Sequence, residues 1–114
     1  MSAITTHVLD TARGRPAAGV DIRLERLGED DAPAMLGGGS TDDDGRLRTL
    51  LPAGTPLEAG SYRLTFLTGA YFRAQGVEAF YPRVVIDFEV RDGAQHYHVP
   101  LLLSPFGYST YRGS

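Results

Sequence analysis

Alternating apolar and polar side chains run through Arg83-Val84-Val85-Ile86-Asp87-Phe88-Glu89-Val90, where every second residue after Arg83 is apolar. Successive side chains of a β-strand point to opposite faces, so this period of two predicts a strand with one buried face. The pattern recurs in Val20-Asp21-Ile22-Arg23-Leu24-Glu25 and in Tyr62-Arg63-Leu64-Thr65-Phe66. Turn dipeptides such as Asp44-Gly45 and Asp92-Gly93 separate these runs. Short strands divided by turns predict an antiparallel β-sandwich.

Two segments depart from the strand pattern. Ala70-Tyr71-Phe72-Arg73-Ala74-Gln75, ended by Gly76, predicts one short helix at about residues 70–76. Gly37-Gly38-Gly39 is typical of a flexible connector. A length of 114 residues is the usual size of one domain, so we expect residues 1–114 to form a single all-β domain with one short helix.

The composition narrows the chemistry that the chain can perform. It has no Cys, and all 11 basic residues are Arg, which excludes disulfides, thiolate catalysis, Cys-ligated zinc and lysine Schiff bases. A net charge of -3 without a basic cluster argues against a nucleic-acid partner. No apolar run reaches the length of a membrane span, and the N-terminus lacks a signal-peptide pattern. We therefore expect a cytoplasmic protein without a membrane partner.

The chain has three histidines, and the first lies on a predicted strand from Ile4 to Asp10. The period of two puts His7 and Leu9 on the face opposite Thr6 and Val8. Histidines are common on protein surfaces, so this strand alone favours a solvated His7.

The other two histidines lie in Gln95-His96-Tyr97-His98-Val99-Pro100-Leu101-Leu102-Leu103, where the period of two puts Tyr97, Val99, Leu101 and Leu103 on one face. The opposite face mixes His96 and His98 with Pro100 and Leu102, a mixture that suits a pocket or a subunit interface. Pro100 cannot donate a ladder hydrogen bond, so it indicates a sheet edge or a bulge.

Several candidate ligand-binding patterns remain open at this point. The His-x-His pair with His7 as a third ligand could hold zinc, although any two alternate strand residues share a face. Thr41-Asp42-Asp43-Asp44-Gly45-Arg46 lacks the distal Glu of a calcium-binding EF-hand loop, and a tight turn explains its acidic part. Its Arg46 is not needed by a turn and could clamp an anionic or carbonyl-rich ligand. The aromatic segment from Ser104 to Ser114 predicts an ordered tail.

Four blocks spread along almost the whole chain resemble the 5-hydroxyisourate hydrolases, also called transthyretin-like proteins. The blocks are Thr6-His7-Val8-Leu9-Asp10-Thr11 with Gly14 and Pro16; Thr41 with Asp44-Gly45-Arg46; Tyr71-Phe72 through Phe80-Tyr81-Pro82; and His96-Tyr97-His98-Val99-Pro100-Leu101-Leu102-Leu103-Ser104-Pro105 running into Tyr111-Arg112-Gly113-Ser114. The last four residues are the most specific, since the hormone-carrying transthyretins look alike elsewhere but lack them.

The resemblance implies a transthyretin-type antiparallel β-sandwich of seven to eight strands with one short helix. It also implies a homotetramer, a dimer of dimers, whose active sites lie at the dimer–dimer interface and need neither a metal nor another cofactor. The implied catalytic residues are His7, Arg46 and His98. The implied substrate-binding residues are Tyr111, Arg112, Gly113 and Ser114.

The implied reaction is the hydrolysis of 5-hydroxyisourate to 2-oxo-4-hydroxy-4-carboxy-5-ureidoimidazoline in urate degradation. Water adds to a ring carbonyl, so the site needs a base near neutral pH and a positive group for the developing oxyanion. Imidazole suits the first task and guanidinium the second. Which of His7 and His98 is the base stays open, and we expect His96 to be a surface residue. Two alternatives remain: a carrier that binds without turnover, and a hydrolase with a His-ligated metal.

Overall fold

The computed structural model describes residues 2–114 and contains two sheets packed face to face. The elements, in chain order, are β1 (Ile4–Asp10), β2 (Arg15–Pro16), β3 (Asp21–Leu27), a 3-10 turn (Glu29–Asp31), β4 (Pro33–Ser40), β5 (Arg46–Leu47), β6 (Gly60–Phe66), α1 (Thr68–Arg73), β7 (Val84–Val90), β8 (Tyr97–Ser104) and β9 (Gly107–Thr110). Seven strands have four or more residues, and β2 and β5 have two each. The predicted all-β sandwich with one short α-helix is confirmed.

One sheet has the strand order β2-β1-β8-β9, with β5 pairing a further part of β1, and the other has the order β4-β3-β6-β7. The core between them contains Val8, Leu24, Leu64 and Leu101, all with no exposed surface. Burying a side chain of this size stabilises the fold by about 1.5–3 kcal/mol. The inward side chains therefore fix which face of each strand looks out.

Strand pairing departs from the antiparallel expectation at one place. β1 and β8 run parallel from the pair Ile4 and Tyr97 to the pair Asp10 and Leu103, whereas the other ladders of residues 2–114 are antiparallel. A period of two gives the buried face of a strand but not the direction of its neighbour, so the sequence pattern could not reveal this pair.

The bounds of the predicted helix need correction. The α-helix spans Thr68–Arg73 rather than residues 70–76, because the amides of Gln75 and Gly76 donate three residues back, as in a tight 3-10 turn.

Within residues 2–114 the structure contains no helix with the length and apolar character needed to cross a membrane.

The three glycines predicted as a connector belong to β4 and pair with β3. A Cβ at Gly37 would lie 1.9 Å from the Leu50 carbonyl oxygen, and one at Gly38 would lie 2.6 Å from that of Ile22. Backbone segments therefore approach too closely here for any side chain. The glycines serve close packing, and the prediction of a flexible connector is wrong.

Candidate active site

The outward face of β1 carries the first of the candidate side chains. Ile4, Thr6 and Val8 point into the core, which leaves His7 half-buried on the outer face, as the period of two predicts. His7 Nε2 lies 2.9 Å from the carbonyl oxygen of Asp44. A carbonyl oxygen only accepts, so Nε2 carries a proton and Nδ1 is the nitrogen of neutral His7 with a free lone pair.

The parallel neighbour β8 presents His98 on the same outer face, half-buried. The register places Thr5 opposite His98 and His7 opposite Pro100. The Thr5 hydroxyl lies 2.8 Å from His98 Nδ1 and holds the imidazole in place. On the other side of β8, residues Leu101–Ser104 pair with β9, and His98 forms a single bridge with Gly113. Pro100 lies between these two pairings, where the ladder is interrupted. A residue without an N–H is therefore tolerated there.

Arg46 is the first residue of β5, and the turn before this strand places it at the site. The Asp42 carboxylate accepts the main-chain N–H groups of Asp44 at 2.9 Å and of Arg46 at 3.0 Å. These hydrogen bonds, that of Arg46 foremost, lower the pKa of Asp42. The ladder then sets Arg46 directly opposite His7. The acidic run therefore builds the turn that positions the guanidinium.

Three of the predicted site residues, Arg46, His98 and Ser114, line one shallow cavity of about 240 Å³ together with Thr5, Arg48 and His96. His7 does not line this cavity, but it is paired with Arg46, which does. Burial lowers the pKa of His98, and the charges of Arg46, His96 and His7 lower it further. His98 is therefore held in its neutral form at neutral pH. A larger cavity of about 650 Å³, between β2 and α1, contains no histidine.

The tail is ordered, as its aromatic composition predicts, and its four predicted site residues lie along two adjoining cavities. The Gly113 N–H donates to the His98 carbonyl oxygen at 2.8 Å, and Ser114 lines the cavity of His98 and Arg46. Arg112 lies over the Tyr97 ring, 4.5 Å from its centroid, and donates to the side-chain oxygen of Gln95 at 2.9 Å. Tyr111 and Arg112 instead line an adjoining cavity with His96, Gly113 and Ser114, of about 610 Å³.

The expectation that His96 is a surface residue is confirmed, and the structure adds contacts between His96 and the site. Its side chain is exposed, but its Nε2 lies 3.0 Å from the Thr5 hydroxyl and its ring stacks on that of His98, 6.4 Å between centroids. Thr5 and Arg48 were also missed. Each is two residues from a predicted site residue, so the period of two could have placed both on the same face.

The three imidazoles do not converge as the metal-hydrolase alternative requires. His7 directs Nε2 to the Asp44 carbonyl, while His96 and His98 direct a nitrogen each to Thr5. Across residues 2–114 no three His, Asp or Glu side chains are grouped so that they could hold a metal ion.

Comparison with known proteins identifies the family. A model of the HIUase/Transthyretin family matches residues 4–113. The 5-hydroxyisourate hydrolase of Caulobacter vibrioides is 51% identical over the full length of both chains. A solved structure of Klebsiella pneumoniae 5-hydroxyisourate hydrolase superposes with a TM-score of 0.84 at 44% identity, covering 97% of this chain and 98% of the other. Sea bream transthyretin in complex with thyroxine superposes with a TM-score of 0.90 at 31% identity, covering 98% and 95%. The chain belongs to the HIUase/Transthyretin family.

Proposed function

We propose that this protein hydrolyses 5-hydroxyisourate to 2-oxo-4-hydroxy-4-carboxy-5-ureidoimidazoline in urate degradation. The observation that carries the proposal is the placement of the His98 imidazole and the Arg46 guanidinium in one cavity. The fold alone does not decide between an enzyme and a carrier, because the structure superposes on both a hydrolase and a transthyretin. The hydrolase relatives, at 44% and 51% identity, support the enzyme.

The proposed mechanism assigns the base to His98. A neutral imidazole can take a proton from water, and the hydroxide that develops attacks the ring carbonyl beside the hydroxylated carbon. Arg46 stabilises the oxyanion that forms on the carbonyl oxygen. Collapse of this tetrahedral intermediate breaks the cyclic amide C–N bond, and the proton gained by His98 passes to the departing nitrogen. His7, held by Asp44, orients the water through its free Nδ1.

The tail supplies the proposed substrate contacts. Ser114 borders the cavity of His98 and Arg46, and Tyr111 and Arg112 border the cavity beside it. Gly113 holds the tail against β8. A planar, carbonyl-rich ring needs several such donors to fix its orientation.

Both cavities open on the outer face of the sheet, so a second surface is needed to exclude water from the reaction. We propose that a homotetramer, a dimer of dimers, closes the site at its dimer–dimer interface. The outer face supports this, since it carries the half-buried apolar side chains of Leu9 and Leu102 beside the imidazoles. The whole of residues 1–114 would act as one cytoplasmic domain.

An absorbance time course with freshly generated 5-hydroxyisourate tests the activity. The protein should shorten the lifetime of the substrate far below that of its spontaneous decay, and His98→Ala should slow the reaction by about 10²–10⁴-fold. A wild-type protein that binds the compound without shortening its lifetime would be a carrier, and the proposal would be wrong.

A further inference from the structure

The Thr5 hydroxyl lies between two imidazoles, that of His96 just before β8 and that of His98 in β8. It is 2.8 Å from His98 Nδ1 and 3.0 Å from His96 Nε2, and the residue is 4% exposed. The parallel register of β1 and β8 sets Thr5 opposite His98 and so keeps the hydroxyl in place. No third hydrogen-bond partner of this hydroxyl occurs among residues 2–114.

A hydroxyl has one proton, so Thr5 can donate to only one of the two rings and must accept from the other. If it donates to His98 Nδ1, the proton of neutral His98 sits on Nε2. If it donates to His96, then His98 carries its proton on Nδ1 and Nε2 keeps a free lone pair. An arrangement in which both rings donate would leave the Thr5 proton buried and unpaired, which is unfavourable.

The charges around His98 favour the second arrangement. Arg46 shares the cavity with His98, and a guanidinium group is positive and only donates. Because Thr5 engages Nδ1, the remaining nitrogen of the ring is Nε2. The positive charge of Arg46 stabilises a lone pair on this nitrogen and disfavours an N–H there.

We propose that His96 is a positioning residue, which accepts the Thr5 proton and thereby fixes His98 as the tautomer with a free lone pair on Nε2. The inference rests on the proposed function for its catalytic meaning, since this lone pair is the one that His98 needs as a base.

The tautomer can be measured directly in the whole protein by NMR of nitrogen-15-labelled histidine at a pH where both rings are neutral. Wild type should show His98 protonated at Nδ1. His96→Phe keeps an aromatic ring at this position but removes the acceptor, so His98 should shift to protonation at Nε2. Thr5→Ser keeps the hydroxyl and should retain the wild-type tautomer. An unchanged His98 tautomer in His96→Phe would overturn the inference, whatever the protein catalyses.

Kinetics supply a second readout that a merely structural role would not reproduce. His96→Phe should lower kcat about tenfold, the worth of one misdirected hydrogen bond, with KM nearly unchanged. Adding Thr5→Val removes the hydroxyl that now donates to the wrong ring, so the double variant should regain part of the lost kcat. Additive losses in the double variant, or a change in KM alone, would show that His96 does not act through Thr5.

Discussion

His98 owes its proposed role to its surroundings more than to its residue type. Burial and the neighbouring positive charges hold its pKa below the ordinary value of an imidazole, about 6.5. A lowered pKa means that the neutral, proton-accepting form persists to lower pH. In a plot of kcat/KM against pH, the fall on the acidic side (the acidic limb) should therefore have its midpoint below about pH 6.5.

Replacing the guanidinium of Arg46 tests this electrostatic argument. Arg46→Gln removes a positive charge, so the pKa of His98 should rise and the acidic limb should move to higher pH. The loss of oxyanion stabilisation should also lower kcat by about 10²–10³-fold. A pH–rate profile measures both effects. Arg48→Gln is the control, since Arg48 lines the cavity but does not contribute to the shift in His98; an equal shift in the two variants would contradict the assignment.

The site also depends on the absence of a side chain at Gly113. A Cβ at Gly113 would lie 2.6 Å from His98 Cδ2, closer than carbon atoms approach without displacement. Gly113→Ala should therefore push the imidazole from its place and lower kcat at least tenfold, while the core stays intact.

Gly107→Ala provides the matched control in the same tail segment. Its Cβ would lie 3.8 Å from the Ser104 hydroxyl oxygen, an ordinary contact, so it should retain wild-type rates. Melting temperatures of both variants should stay near that of wild type. A fully active Gly113→Ala would mean that His98 need not occupy the position described.

Among the elements, the tail contributes to the site more than to the fold. Tyr111, Arg112 and Ser114 are exposed, and the main-chain link to β8 is the hydrogen bond from Gly113 to His98. Deleting residues 111–114 should leave the melting temperature within a few degrees but remove most of kcat/KM, because two lost hydrogen bonds cost about 10²-fold. Thermal melts and initial rates on one preparation measure both. Near-normal rates in a stable truncated protein would remove the tail from the site.

The sequence predicted those elements whose signal is local. The period of two gave the buried faces of β1, β3, β6, β7 and β8, because side-chain alternation depends only on the strand itself. The close approach that requires Gly37 and Gly38 in β4 involves backbone from other elements, so the composition of the segment was misleading. Likewise, sequence motifs made His7, Arg46 and His98 candidates for the site. The link from Thr5 to His98 could not be predicted, because it depends on the register between residues 93 positions apart in the chain.

For the whole molecule, the surface argues for association. Phe80, Phe106 and Tyr111 are 70%, 67% and 59% exposed, which is unusual for large aromatic side chains in an isolated chain. Light scattering should give four times the chain mass of 12.3 kDa. A monomer with full activity would contradict a site completed between subunits.

Metal dependence is also a property of the whole protein. Because the proposed mechanism uses imidazole and guanidinium alone, dialysis against a strong chelator should leave the rate unchanged. Elemental analysis of the same sample is the control. Loss of activity together with loss of a stoichiometric ion would show that the hydrolysis depends on a metal.

The parallel pairing of β1 with β8 has a consequence for biosynthesis. Thr5 and His98 are 93 residues apart, so at about 5–20 residues per second the ribosome delivers them on the order of 5–20 s apart. During that interval the edge of β1 that pairs with β8 in the folded protein has no partner. Unpaired strand edges are prone to wrong pairing. A nascent chain halted before Tyr97 would already contain β1 and every strand of the second sheet, yet it would lack the strand that brings the imidazoles together. The enzyme would gain its chemistry only in the last moments of translation.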